Sequence, residues 1–226
     1  ELLNISFFQR LYERAPESNR AMLETQYRMP AVIGSLVSTL FYDGKLKNGA
    51  GTENRPPLFG KGNLVFYDRA RDDRYYEQKS EKSDSVVNFR EVEIVIEILQ
   101  KMSQIIPGCR VAVITPYRGQ NRILHEAWNQ HKEELEPLKL AINTIDAFQG
   151  DEAEIVIYCS TRARRTTRYF SDYRRINVAL SRAKNKLILI GRLPYFKKYR
   201  RGKSPLPEVA EYVEKYGRVA ASIENL

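Results

Sequence analysis

The chain has 226 residues, 42% hydrophobic and 29% charged, and its 37 Lys and Arg against 28 Asp and Glu leave a net charge of +9. That supplies one substantial core, and a positive balance of this size favours a polyanionic partner, nucleic acid before an anionic membrane. No apolar run is long enough to span a bilayer, the first residues lack the basic-then-apolar pattern of a signal peptide, and two cysteines, Cys109 and Cys159, form neither a disulfide framework nor a metal-ligand spacing, so a reducing intracellular setting and core thiols are expected.

In chain order, Ile5–Arg14 predicts a short amphipathic helix with Phe7, Phe8, Leu11 and Tyr12 on one face, and Ala21–Gln26 a strand. Pro30 opens a helix running through Leu40, as proline suits a first helical turn. A turn-rich stretch, DGKLKNGAGTENRPP, leads to a short strand at Leu64–Tyr67 and then to a charged, exposed segment carrying Tyr75 and Tyr76. From Ser85, the positions Val86, Phe89, Val92, Ile96, Leu99 and Met102 recur at helical spacing.

After Pro107-Gly108 the rhythm becomes strand, helix, strand. Strands are expected at Arg110–Thr115, Leu140–Thr144, Glu154–Ser160 and Lys186–Gly191, and helices at Tyr117–Lys132, Tyr173–Arg182 and Pro205–Tyr216. The strands are continuously apolar, which is the mark of a parallel sheet covered on both faces, an α/β fold. His125 and Trp128 read as packing residues of the helix in which they lie.

Ligands of parallel sheets bind beyond the carboxyl ends of the strands. Those ends read QYRMP, TPYRGQ, TIDAFQGDE and an arginine-rich stretch ending in RRINVALSR, all polar and suited to phosphate. The last carries Arg175 and Arg182, seven apart and so on one face of a helix that includes both. The chain has no phosphate loop of its own: RGKS at Arg201–Ser204 ends like one, but Lys197 stands where the first glycine is required. Asp146, Asp151 and Glu152 in one loop raise the question of a metal, against a chain that is strongly basic.

Taken in order, LETQYRMPAVIGSLVSTLFYDGKL, VAVITPYRGQ, INTIDAFQGDEAEIVI and DYRRINVALSRAKNKLILIG resemble motifs IV to VI of superfamily 1 helicases, in the Upf1-like branch with DNA2- and Sen1-type enzymes. The resemblance covers Ala21 to about Arg192 and departs from the family at Pro30, which directly follows Met29 where the family commonly has QYRMHP, and at Glu154, where it often has Asp.

It implies a RecA-like three-layer fold lacking its own P-loop, with residues 1–20 leading from a first motor domain, 21–200 forming the second, and 201–226 a helical extension. It implies ATP with Mg²⁺, the ion held mainly by that first domain, and 5′ to 3′ movement of a monomeric motor on single-stranded DNA or RNA. By the same resemblance Arg182 is the arginine finger and Arg28 reaches the γ-phosphate. Tyr27 stacks on adenine beside Gln26, Glu152 bonds the ribose, Gln149 and Gly150 shape the loop, and Thr115, Pro116, Tyr117 and Thr144 face the nucleic acid. No residue of this chain is assigned to a metal. The alternative is a RecA-like module that binds nucleic acid or protein without catalysis.

Overall fold

The computed structural model describes residues 7–69, 76–164, 167, 172–198 and 204–226. Six strands form one sheet in the order β10-β3-β9-β8-β6-β7, every neighbouring pair parallel. They are β3 (Leu64–Asp68), β6 (Arg110–Thr115), β7 (Lys139–Thr144), β8 (Ala153–Cys159), β9 (Ala183–Gly191) and β10 (Arg218–Ala220). Small pairs lie outside it: β1 (Thr25–Gln26) with β2 (Lys47–Asn48), parallel, and β4 (Gln78–Lys79) with β5 (Val86–Val87), antiparallel.

Successive side chains of a strand point to opposite faces, and here both faces are buried. Val111, Val113, Ile155, Ile157, Ile188 and Ile190 enter one core with helices α3 (Phe89–Ile105), α4 (Arg118–Gln130) and α5 (Lys132–Leu135). Ala112, Ile114, Val156, Tyr158, Leu187 and Leu189 enter the other with α2 (Ala31–Phe41), α6 (Tyr173–Leu180), α7 (Leu193–Lys198) and α8 (Leu206–Tyr216). Each large apolar side chain moved from water to such a core contributes about 1.5–3 kcal/mol. The three-layer α/β architecture is the one expected. Helix α1 (Phe7–Arg14) precedes it.

Several boundaries differ from expectation for local reasons. The first strand shrinks to Thr25–Gln26, because residues 21–24 are exposed and have no sheet to join. Helix α3 begins at Phe89, four residues after Ser85: Asn88 caps it by accepting from the Glu91 N–H, and Val86 and Val87 are left to pair as β5. Phe89 itself is exposed, while Val92, Ile96, Leu99 and Met102 are buried as their spacing implies. The segment after 204 supplies an edge strand as well as a helix, since β10 pairs with β3 and Val209, Ala210 and Val213 of α8 lie in the core. Trp128 packs against the core, and a His125 ring nitrogen lies 3.0 Å from the Ile142 carbonyl oxygen. Cys109 and Cys159 are free thiols, and burial pushes the Cys109 thiol up to about 11.

Lys186 on β9 is fully buried, donating to the carbonyls of Phe59 at 2.7 Å and Lys61 at 3.2 Å. Burial, with a smaller contribution from Arg218, lowers its pKa from 10.5 to about 8. The folded state therefore binds a proton less readily than the unfolded chain, and stability from this group rises as pH climbs from about 8 towards 10.5. Urea midpoints measured at pH 7.5 and 9.5 for wild type and Lys186→Met should show the wild type gaining relative to the variant at the higher pH; parallel shifts would show that Lys186 is not titrating there.

Candidate functional site

The residues expected to hold ligand divide between the two ends of the sheet. The loop 145–152 starts at the carboxyl end of β7 and finishes at the amino end of β8, because the two strands are parallel to one another through β6. Glu152 therefore precedes the first residue of β8, and Arg182 the first residue of β9. Thr115 and Thr144 are the last residues of β6 and β7. A six-residue strand spans about 20 Å, so the groups lie roughly that far apart. The expectation that all these loops share the carboxyl edge is corrected: Arg28, Glu152 and Arg182 gather at the amino edge. The QYRM segment follows β1, which is outside the main sheet.

At the amino edge, Arg28 donates through Nε to Glu152 at 2.7 Å and through Nη1 to the Ser181 carbonyl at 3.1 Å. The second carboxylate oxygen of Glu152 pairs with Lys184 at 2.6 Å. The Lys184 hydrogen bond, opposed by partial desolvation and assisted by Arg28, holds the Glu152 carboxyl below its usual range. Arg182 is half-buried. Its Nε donates to the Val178 carbonyl at 3.1 Å and its Nη2 to the Ser181 hydroxyl at 3.0 Å, and among the described residues no carboxylate pairs with it. Burial first, and then the neighbouring charge of Arg28, lower its pKa. Both guanidinium groups meet at Ser181, Arg28 on its carbonyl and Arg182 on its hydroxyl, and planar donors of this kind are chemically suited to phosphate or carboxylate oxygens.

Helix α6 ends at Leu180 with Ser181 as its C-cap, so Arg182 lies in the turn beyond it. The expected single helical face carrying Arg175 and Arg182 is therefore not formed. Arg175 turns instead to Asp146, at 2.9 Å, and to Asp172, which also caps the helix.

Tyr27 is 65% exposed, and its ring lies across Gly49, where an added Cβ would come within 2.2 Å of a ring carbon. One ring face is thus backed by main chain and the other is available for stacking. Gln26 is engaged in its own turn: its amide donates to the Met29 carbonyl and to Asn48 Oδ1, and its Oε1 accepts from the Met29 N–H. Gln149 and Gly150 are exposed, and Gly150 has φ of 92°, which glycine adopts without strain.

The carboxylates of the loop are each held by a cation of the domain. One Arg110 nitrogen, Nη2, donates to both Asp151 oxygens at 2.6 and 2.7 Å, Asp146 pairs with Arg175, and Glu152 with Arg28 and Lys184. That answers what the acidic loop does inside the domain: it fixes arginines.

At the carboxyl edge, Pro116, Tyr117 and Thr144 line a trough of about 620 Å³ together with Arg118, Ser85 and Arg175. Thr115 lies beneath it, fully buried, with its hydroxyl 3.0 Å from that of Thr161.

A family model described as an AAA domain matches residues 3–193. The chain belongs to this family. It is 34% identical over 203 residues to an ATP-dependent helicase of Methanocaldococcus jannaschii, itself uncharacterized, covering 84% of this chain and 29% of that protein. It is 29% identical over 199 residues to helicase SEN1 of Saccharomyces cerevisiae, covering 83% and 9%, and 30% identical over 203 residues to the ATP-dependent helicase NAM7 of the same yeast, covering 84% and 20%. This AAA domain is thus of the superfamily 1, Upf1-like helicase type that its motifs resemble, and corresponds to the C-terminal domain of such helicases. It spans 9–29% of the length of these three relatives.

The carboxylates nearest Arg28 and Arg182 do not fit a Mg²⁺ site, since their oxygens already accept from arginine or lysine. Among the described residues no three His, Cys, Asp or Glu side chains gather to hold a metal, and no helix is long and apolar enough to cross a membrane.

Sequence reasoning missed two site residues of the AAA domain. Arg55 donates to four carbonyls, those of Tyr27, Arg28, Gly51 and Lys184, and so straps the Tyr27–Arg28 turn to the start of β9. It sits in a polar, turn-rich stretch with no local signal. Arg118, exposed at the first turn of α4, has no side-chain partner among the described residues and faces the trough. It was readable within TPYRGQ but was passed over for its neighbours. Tyr75 and the RGK of 201–203 lie outside the described residues. Tyr76 is only partly exposed, with the Arg164 guanidinium 3.3 Å from its ring centroid and that of Arg192 at 5.1 Å, which corrects the expectation of an ordinary exposed tyrosine.

Proposed function

We propose that the chain is the second motor domain of an ATP-dependent superfamily 1 helicase or translocase. Its amino edge completes an ATP site whose phosphate cradle and Mg²⁺ ligands belong to a first RecA-like domain. Its carboxyl edge holds single-stranded nucleic acid in an intracellular, monomeric motor. The observation that carries this reading is the Arg28–Arg182 pair, two arginines that meet at Ser181, one on its carbonyl and one on its hydroxyl, in a chain without a phosphate loop. A module that only grips nucleic acid has no use for such a pair remote from its strand.

In this reading Arg182 and Arg28 meet the charge that develops on the transferring phosphoryl oxygens. Tyr27 stacks on the base, Glu152 presents Arg28 and borders the ribose, and Gln149 and Gly150 link the two edges. Gln26 holds the turn that carries Tyr27. Residues 1–20 lead in from the first domain, 21–200 form the motor domain, and 201–226 extend it. Names of the relatives support the ATP-dependent helicase activity, and the +9 charge supports a nucleic-acid partner.

Fluorescence anisotropy with a labelled single strand tests the second half. Each neutralised phosphate contributes about −0.7 to the slope of log affinity against log salt, so three or four contacts give a slope of roughly −2 to −3. Affinity that stays flat with salt would contradict it. The 226-residue chain alone should hydrolyse ATP below about 1 s⁻¹, the low end of ordinary enzyme rates.

A further inference from the structure

Thr161 lies just past the carboxyl end of β8 with φ of 62°, one of two non-glycine residues in the described chain with positive φ. For a β-branched side chain that backbone is strained. The Arg162 N–H donates to the Ser160 carbonyl at 2.7 Å, closing a three-residue turn around Thr161. Such γ-turns with positive φ are rare, and persist only where the surroundings over-determine them.

The surroundings here are a buried polar network. Glu91, in the first turn of α3, is fully buried, and both its carboxylate oxygens accept from the Thr161 N–H at 2.9 Å. One of them also accepts from the Ser160 hydroxyl at 3.0 Å. Asn88 donates its amide to the Thr161 carbonyl at 3.2 Å, and Gln120 in turn holds the Asn88 main chain. A buried carboxylate is costly to place, so it marks a position where geometry, rather than packing alone, is being set.

The turn leads to the trough by two routes. The Thr161 hydroxyl meets that of Thr115, whose oxygen is 3.4 Å from the Tyr117 N–H. Arg162 donates through Nε to the Tyr117 hydroxyl at 3.1 Å, with its guanidinium 5.2 Å from the ring centroid, and also reaches Glu77.

We infer that Glu91 is a positioning residue for nucleic-acid binding: it holds the strained Thr161 turn, which through the buried Thr115 and through Arg162 sets Tyr117 in the arrangement that receives the sugar–phosphate backbone of a single strand. This rests on the carboxyl-edge reading proposed above. Phosphate contacts from hydroxyls and main-chain N–H groups fix register and orientation, so sub-ångström placement of these groups governs affinity.

The test is anisotropy of a fluorescein-labelled oligothymidylate with the wild-type chain, Glu91→Gln and Thr161→Gly, each checked for a cooperative thermal transition. Glu91→Gln replaces one acceptor oxygen with a donor facing the Thr161 N–H, which loosens the turn, and Kd should rise about tenfold as the binding-competent arrangement becomes a minor state of the folded protein. The end-point anisotropy at saturation should be unchanged. A merely structural role would act through the folded fraction f, raising apparent Kd by only 1/f, so the expected rise must exceed what the thermal melt allows at the assay temperature; a rise accounted for by 1/f would contradict the inference. Should Glu91→Gln fail to fold, Thr161→Gly decides. Glycine tolerates the positive φ but frees the turn and removes the hydroxyl, so Kd should rise several-fold in a folded protein. Folded variants that bind within twofold of wild type overturn the inference alone. A wild-type chain that shows no binding overturns the carboxyl-edge reading, and the inference with it.

Discussion

Arg182→Ala, in a chain carrying both motor domains, should reduce kcat for ATP about 10³- to 10⁵-fold at saturating single strand, a loss of roughly 4–7 kcal/mol of transition-state stabilisation. Nucleotide Kd should change little. On the proposed reading, groups of a first domain neutralise the γ-phosphate in the ground state, whereas the charge that spreads in transfer needs a donor placed beforehand. The placement is visible. Arg182 is half-buried, oriented by the Val178 carbonyl and the Ser181 hydroxyl, and has no carboxylate partner among the described residues to compete with an incoming phosphate. Arg182→Lys should not restore activity, since an ammonium lacks the planar fork. Tyr27→Ala should raise KM and leave kcat nearly intact, because stacking is equal in ground and transition states. Retention of more than about a tenth of kcat by Arg182→Ala would leave less than 1.4 kcal/mol to explain, too little for a finger.

Arg55→Ala should lower kcat/KM about a hundredfold, although Arg55 donates only to main chain in this structure. Its guanidinium joins the carbonyls of Tyr27 and Arg28 to that of Lys184 at the start of β9, both Nη1 bonds at 2.6 Å for Arg28 and Lys184. Besides Arg55, the turn bearing Tyr27 and Arg28 is fixed by the short β1–β2 pair, the Gln26 amide, Met29 buried in the core and the contacts of Arg28 itself, and Arg55 adds the tie from its carbonyls to the start of β9. Loss of the strap moves Arg28 relative to Arg182, and a displacement of about 1 Å at a reacting phosphate is enough for that penalty. Steady-state kinetics beside a thermal melt separates the cases: a folded Arg55→Ala protein with wild-type kcat/KM would show that the turn is held without it.

The sequence made the sheet legible because its strands are long apolar runs, and β6 was placed at its observed limits. What it hid was direction within a crossover. The stretch from Thr144 to Ala153 reads as one loop at one edge, yet it carries the chain from the carboxyl end of one strand to the amino end of the next, with Phe148 buried midway. Residues a few positions apart, such as Asp146 and Glu152, therefore serve opposite edges. Helical spacing likewise joined Arg175 to Arg182, but Ser181 ends the helix first. Tyr27, Arg28 and Glu152 were readable through the motifs that contain them. Arg55 and Glu91 were not, because one acts on carbonyls far away in sequence and the other looks like an ordinary acidic residue in the first turn of an amphipathic helix.

The separation of the two edges is tested most directly by hydrogen–deuterium exchange of the 226-residue chain with and without saturating oligothymidylate. Protection is expected in peptides covering 115–119, 144–147 and 160–162, at the carboxyl ends of the strands, with residues 27–28, 150–152 and 181–184 exchanging as in the free chain. Protection centred on the second set, with the first unchanged, would place the strand at the edge assigned here to nucleotide and contradict the proposed division.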